Sequence, residues 1–211
     1  MFLKRIKFLI KKYFFQIGFT QKVIIKNKFD LINRASKHNI GKFSFGNKNK
    51  DKIFYVIKRT PGAGFYSNLA YVLLNLEIAD KNNYIPIVDM KNFPTMYNQK
   101  KNIGNIKNVW TVFFSQTAKY DLESVYKSKN VYFSPNNLNF RLETFKKKKL
   151  KKIFDKYIKI NDKILKDISI FTKKNFKNKK ILGIHFRGTD QKIAPNHSIP
   201  PTIFEIKNII D

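Results

Sequence analysis

The run Ile53-Phe54-Tyr55-Val56-Ile57 constrains the fold more than any other feature of the chain. Five consecutive apolar residues, β-branched or aromatic and without alternation, read as a strand buried on both faces, the kind found in parallel sheets covered by helices. Pro61-Gly62-Ala63-Gly64 then breaks the run. Beyond the break, Leu69, Val72, Leu73, Leu76, Ile78 and Ala79 recur at the spacing of a core-facing helix. Lys81-Asn82-Asn83 should end that helix, and Tyr84 to Val88 reads as a second strand closing at Asp89. Strand, glycine turn, helix and strand make a βαβ unit, so the expected class is α/β with a parallel sheet.

The remaining segments can be placed around that unit. Residues 20–50 are punctuated by lysine, asparagine and glycine and read as a connector, with one short strand near Val23-Ile24-Ile25. Val131-Tyr132-Phe133 reads as a further strand, and Trp110 to Phe114 as an aromatic contribution to the core. Leu150, Ile153, Phe154, Tyr157, Ile164, Ile168 and Phe171 mark one long amphipathic helix, with the lysines at 146–149 on its solvated face. Ile181 to Phe186 reads as a buried strand, followed by a polar loop and a helix opening at Pro200-Pro201. One strand, one loop and one helix cannot form an independent sheet. The expected organisation is therefore a basic helix over 1–19, a connector over 20–50 and a Rossmann-like domain over 51–145. A long connecting helix over 146–178 follows, then the incomplete start of a second Rossmann-like domain over 179–211.

Charge narrows the partners. Forty-three lysines and arginines against 14 acids give a formal net charge of +29, a field that favours anionic ligands and surfaces. The lysines are scattered among asparagine and isoleucine along the whole chain, and neither zinc-finger spacing nor an aromatic RNA-binding signature accompanies them, so no specific nucleic-acid partner is expected. The absence of cysteine excludes disulfides and cysteine-held zinc. No apolar stretch reaches the roughly 20 residues of a membrane-spanning helix. At the N-terminus, Phe2, Ile6, Leu9, Ile10, Tyr13, Phe14 and Ile17 recur at helical spacing, interrupted by Lys4, Arg5, Lys7, Lys11 and Lys12. Such a helix suits either an anionic membrane surface or packing on the domain.

Two loops carry chemistry. Glycines at 62 and 64, after a strand and before a helix, stand where backbone amides approach anions. Three readings of that turn remain open: a structural connection, an acceptor-side or interdomain surface, and a dinucleotide site. Asp89 imitates the ribose-binding acid of the last and is otherwise a strand-end turn residue; Asn68 projects from the helix start toward a cleft or is simply a polar helix residue. The second loop is the more specific. In His185-Phe186-Arg187-Gly188-Thr189-Asp190 the apolar run delivers His185 to a strand's carboxyl end, where open α/β sheets bind ligands. Arg187 brings a planar, permanently charged fork suited to two phosphate oxygens. Gly188 permits a sharp turn, Thr189 offers a hydroxyl, and Asp190 can orient the arginine. The alternatives are a surface ion pair between Arg187 and Asp190, and a packed strand-end role for His185.

Ile184 to Asp190 resembles the His-x-Arg-x-x-Asp signature of GDP-fucose-dependent fucosyltransferases, particularly the α1,6, nodulation and protein O-fucosyltransferase relatives. Gly62 to Asp89 is similar to their first glycine turn and helix. The resemblance implies a GT-B-like pair of Rossmann-like domains and an inverting, metal-independent transfer of fucose, in which Arg187 is the catalytic contact to the donor diphosphate. It places His185 and Asp190 at the nucleotide pocket, with His197 beyond them on the same loop; Gly188, Thr189, Gly62, Gly64 and Asn68 are the further substrate-binding candidates. The chain contains no Asp-x-Asp pair to hold a metal, which agrees with that expectation. Two departures are plain. Gly188 stands where the α1,6 enzymes have a second arginine, and Gln191 to Asn196 contains no carboxylate to serve as base. The expected function is fucosyl transfer from GDP-fucose, with no cofactor, to a glycan or lipid-linked acceptor, in the cytoplasm and peripheral to the cytoplasmic membrane face. The alternatives are an inactive or partner-completed fragment of such an enzyme, and a peripheral membrane protein held by charge alone.

Overall fold

The structure is a computed structural model that describes residues 21–59, 64–99, 108–136, 147–177, 179–183 and 201–210. The chain divides into two compact units, Met1–Leu165 and Lys166–Asp211. Of the expected segments, the basic helix over 1–19 lies outside the described residues.

The first unit is built on β2 (Lys48–Ile57), hydrogen-bonded in parallel to β3 (Ile85–Val88) on one side and to β4 (Ser128–Phe133) on the other. A short strand β1 (Gly41–Phe43) adds antiparallel to β4, giving the order β1-β4-β2-β3 in a mixed sheet. The expected α/β class and the parallel βαβ unit are both present. Helix α2 (Phe65–Lys81) is the crossover between β2 and β3.

Side-chain alternation in β2 explains the two cores. Tyr55 and Ile57 face α2, packing with Tyr71, Val72, Leu76, Val88 and Ile153. Phe54 and Val56 face the other way, toward Ile32, Ile87, Phe93, Val125, Val131 and Phe133. Helix α1 (Gln21–Ala35) supplies Ile32 to that second face, and Phe29 meets Phe93 and Tyr126 edge-on at 5.3 and 5.5 Å. The expected strand at Val23-Ile24-Ile25 is thus helix. A sheet buried on both faces needs a cover on each, and tertiary demand overrides the β-branched triplet there.

The end of α2 follows its sequence. Asn83 adopts φ 56°, the left-handed conformation asparagine tolerates. Tyr84 and Asn83 then donate to the carbonyls of Ala79 and Asp80, closing the last turn. Asn49 is the other left-handed residue; it sits where the β2–β4 register shifts, and its amide donates to Ser128 Oγ at 2.9 Å. At Gly46 a Cβ would lie 2.5 Å from the Lys127 carbonyl oxygen, so only glycine fits. Trp110 and Phe114 are buried as expected, Trp110 opening the short helix α3 (Trp110–Phe113). A second short helix, α4 (Leu122–Val125), is capped by the Asp121 carboxylate.

The expected long helix over 146–178 is two helices, α5 (Lys147–Tyr157) and α6 (Asp162–Phe176). Residues 158–161 leave helical geometry to pair with the stretch after α3, Ser115 donating to the Lys159 carbonyl and Asn161 to the Phe113 carbonyl. Asn161 Oδ1 then accepts from Lys163 N at 3.0 Å and starts α6 as a cap. Helix α5 packs Ile153, Phe154 and Tyr157 against the α2 face of the sheet.

In the second unit, Ile181, Leu182 and Gly183 are exposed and outside any strand, contrary to the first half of the expected buried strand; Ile184 to Phe186 lie outside the described residues. A strand is buried by its neighbours, and no partner strand is present among the described residues of that unit. Helix α7 (Ile203–Ile210) opens with a capping box: Glu205 N meets Thr202 Oγ1 at 3.2 Å, and Thr202 N returns to Glu205 Oε2 at 2.6 Å. Among the described residues no helix is long and apolar enough to cross a membrane.

Tyr55 ties the sheet to α2 through a fully buried hydrogen bond, its hydroxyl donating to Asn75 Oδ1 at 2.8 Å. Tyr55→Phe should therefore cost about 1–3 kcal/mol, because the Asn75 oxygen stays buried without that donor. Adding Asn75→Leu should recover part of the loss in urea unfolding; a double variant at least as unstable as the two single losses combined would contradict this.

Candidate functional site at the carboxyl edge of the sheet

Parallel pairing of β2, β3 and β4 brings their carboxyl ends to one edge, and the chain goes from β2 to β3 on one side before returning to β4 on the other. The β2–β4 boundary is thus the point where strand order reverses, the place where open α/β sheets bind ligands. The residues just past these ends are Lys58 and Arg59 after β2, Asp89 after β3, and Ser134 and Asn136 after β4.

Ser134 stitches the boundary. Its amide donates to the Val56 carbonyl at 2.9 Å, and its hydroxyl accepts from Lys58 N at 3.0 Å and lies 3.2 Å from Lys58 O. The Tyr71 hydroxyl, rising from α2, lies 3.2 Å from Ser134 Oγ and hydrogen-bonds the Pro135 carbonyl. Asn136 donates its amide to the carbonyls of Ser36 and Lys37 just past α1, at 3.1 and 3.2 Å. Every strand end here finds partners without a helix or strand to supply them.

Two cations occupy this edge on opposite sides of the sheet. Lys58 is 1% exposed, donates Nζ to Asn136 Oδ1, and stands 5.6 Å from the centre of the Phe93 ring. Burial pulls its pKa down from 10.5 to about 8. Arg59 is half-buried, its guanidinium 4.6 Å from the centre of the Tyr71 ring. Its Nε donates to Asn68 Oδ1 and its Nη2 to Ser67 Oγ, both at 3.3 Å, in the first turn of α2. Among the described residues neither cation is paired with a carboxylate.

The acid nearest in topology is fully committed elsewhere. Asp89 is buried; Oδ1 accepts from the amides of Lys91 and Asn92 at 3.0 and 2.9 Å, and Oδ2 accepts from Asn92 Nδ2 and the Tyr126 hydroxyl at 2.8 and 2.7 Å. It is a strand-end turn residue, and the dinucleotide reading of the glycine turn loses its ribose-binding acid.

Asn68 is buried in the first turn of α2 and forms part of the wall of a small apolar cleft. Phe65, Leu69, Met90, Tyr97 and Trp110 line the same cleft. Gly64 is the N-cap of α2, is exposed, carries no side-chain cap, and has open space where a Cβ would lie. The structure thus brings Gly64 and Asn68 together at the ligand edge. Gly62, His185, Arg187, Gly188, Thr189, Asp190 and His197 lie outside the described residues.

Lys58 and Arg59 are residues the sequence reading passed over. Their signal was present, two cations directly after an apolar strand run, yet 43 basic residues gave it a uniform background. Compared with known protein families, curated proteins and solved structures, the chain has no match.

The Lys58 environment makes a pH prediction. Its folded pKa lies below its ordinary value, so the unfolded chain holds more protons between about pH 8 and 10.5, and stability from this group rises as pH rises through that window. The stability of wild type relative to Lys58→Met should climb by about 2 kcal/mol between about pH 7 and 9.5 in denaturant titrations. A difference that is flat or falls with pH would show the ammonium is not held in a desolvated site.

Proposed function

We propose that the chain takes part in sugar transfer from a nucleotide sugar, by an inverting, metal-independent route, with GDP-fucose the donor that best fits its motif. The observation that carries this reading is the run His185-Phe186-Arg187-Gly188-Thr189-Asp190. A βαβ sheet with a cationic carboxyl edge supports it, since a two-domain GT-B arrangement calls for a half of this kind.

In such a transfer an acceptor hydroxyl oxygen attacks the anomeric carbon and loses its proton to solvent or to the departing phosphate, the bond from that carbon to the β-phosphate oxygen breaks, and GDP departs with the bonding electrons. Negative charge grows on the diphosphate during that step, and a guanidinium already in place stabilises it without reorganisation. Arg187 is assigned that role. His185, Gly188, Thr189 and Asp190 shape the nucleotide pocket, with His197 further along the same loop. Gly62, Gly64 and Asn68 belong to the acceptor side, where Asn68 stands beside the aromatic cleft. The N-terminal basic helix would hold the enzyme at the cytoplasmic membrane face, close to a lipid-linked or surface-glycan acceptor.

Isothermal titration with GDP and GDP-fucose tests the assignment. Wild type should bind both nucleotides, and Arg187→Ala should weaken them at least about tenfold, the loss expected for one charge-assisted phosphate contact. A wild-type chain indifferent to both would remove the reading.

A further inference from the structure

We propose that Arg59 is the contact residue of an oxyanion site at the carboxyl edge of the first unit, taking a phosphate-class group of a ligand, with the buried charge of Lys58 across the strand end adding to the local positive field. Charge accounting carries the argument. The seven ion pairs among the described residues use Asp51, Glu77, Asp80, Glu123, Asp155 and Asp162, none of them at this edge. Asp89, the acid that does stand there, has both oxygens committed to Lys91, Asn92 and Tyr126. One cation at the edge is buried and the other half-buried, and among the described residues their hydrogen-bond partners are neutral oxygens. A desolvated charge without a counter-charge is unfavourable, and an incoming anion is what relieves it.

The mounting of Arg59 suits that task. Stacking on Tyr71 and two long contacts, to Asn68 and Ser67, fix the plane of the guanidinium while leaving its charge uncompensated. A planar fork held this way engages two oxygens of one phosphate. Beside it α2 begins at Gly64 with no side-chain cap, and no described atom lies within 4 Å of where its Cβ would be. Lys58, on the far side of the strand end, adds a second positive charge. The position is the strand-order reversal at which ligands gather.

The site lies wholly within the first unit and does not depend on the sugar-transfer reading, so the test is run in the Arg187→Ala background. Inorganic pyrophosphate is titrated into the full chain at about 0.15 M salt, where diffuse surface attraction is largely screened. Binding should persist in that background and weaken at least about tenfold on adding Arg59→Gln, with Arg59→Lys intermediate because it keeps charge but loses the fork. Lys58→Met should weaken it as well. Lys129→Gln, at an exposed residue near the amino end of β4 and so at the opposite sheet edge, removes the same charge and should change little. Circular dichroism on each variant establishes that the fold is retained. The proposal is overturned if pyrophosphate does not bind in that background, if Arg59→Gln and Lys129→Gln act alike, or if glucuronate binds as well as pyrophosphate.

Discussion

Burial of β2 on both faces and both edges is the constraint from which the rest follows. Phe54, Tyr55, Val56 and Ile57 are at most 1% exposed, so every polar backbone atom of that segment must be paired within the sheet. Parallel neighbours on either side satisfy it, and parallel neighbours require crossovers long enough to return the chain to its starting edge. Helix α2 is the first such return. The geometry has a second consequence: three strands end together, and each leaves a last carbonyl and a following amide to be satisfied. Ser134, Tyr71 and Asp89 do this with side chains, and so the carboxyl edge is polar although the sheet is not.

What was legible in the sequence was what short-range pattern determines. Ile53–Ile57, the α2 helix with its asparagine stop, the strand ending at Val88 and the strand at Val131-Tyr132-Phe133 were all readable, because each is encoded by spacing within a few residues. What was not legible depended on distant partners. Val23-Ile24-Ile25 has strand composition but lies in α1, whose Ile32 is needed to cover the face opposite α2. The break at residues 158–161 exists because Phe113, Phe114 and Ser115 offer backbone groups to pair with, and the Asn161 cap was hidden in an otherwise continuous helical period. β1 is three residues long and owes its existence to the edge of β4. At the site, Gly64 and Asn68 were placed by the glycine turn, whereas Lys58 and Arg59 differ from the other basic residues only in burial, which sequence does not display.

The distribution of acids gives the high positive charge a structure. Glu77 and Asp80, on the outward side of α2, meet Lys149 and Lys156 of α5, and the Tyr157 hydroxyl joins Asp80 at 2.7 Å. Hydrogen bonds from Lys156 and Tyr157 hold the Asp80 carboxyl below its usual range. These pairs are solvated, and such pairs are individually worth at most about 1 kcal/mol. They nonetheless settle where α5 lies, because its lysines have few carboxylates to meet. Scarce acids are thus spent on docking a helix and, in Asp89, on closing a turn. Among the described residues, the only acid at the carboxyl edge is Asp89, and its oxygens are already taken.

The two cations at that edge are not equivalent, and the difference follows from their surroundings. Arg59 sits against an aromatic ring with neutral oxygens around its rim, where a flat and weakly hydrated cation is the better fit. Lys58 lies among Phe93, Asn136 and the β2–β4 boundary, in a space that admits a compact ammonium. An ammonium with a pKa near 8 keeps its charge at neutral pH and can still surrender its proton where a guanidinium cannot. A buried methionine would satisfy the packing without the desolvation cost, though it would leave the Asn136 oxygen without its donor. The protein therefore holds an ammonium at a buried strand end. The hydrogen bond from Lys58 Nζ to Asn136 Oδ1 thus joins the residues that follow β2 and β4, so the charge and the cohesion of that boundary are coupled through one side chain.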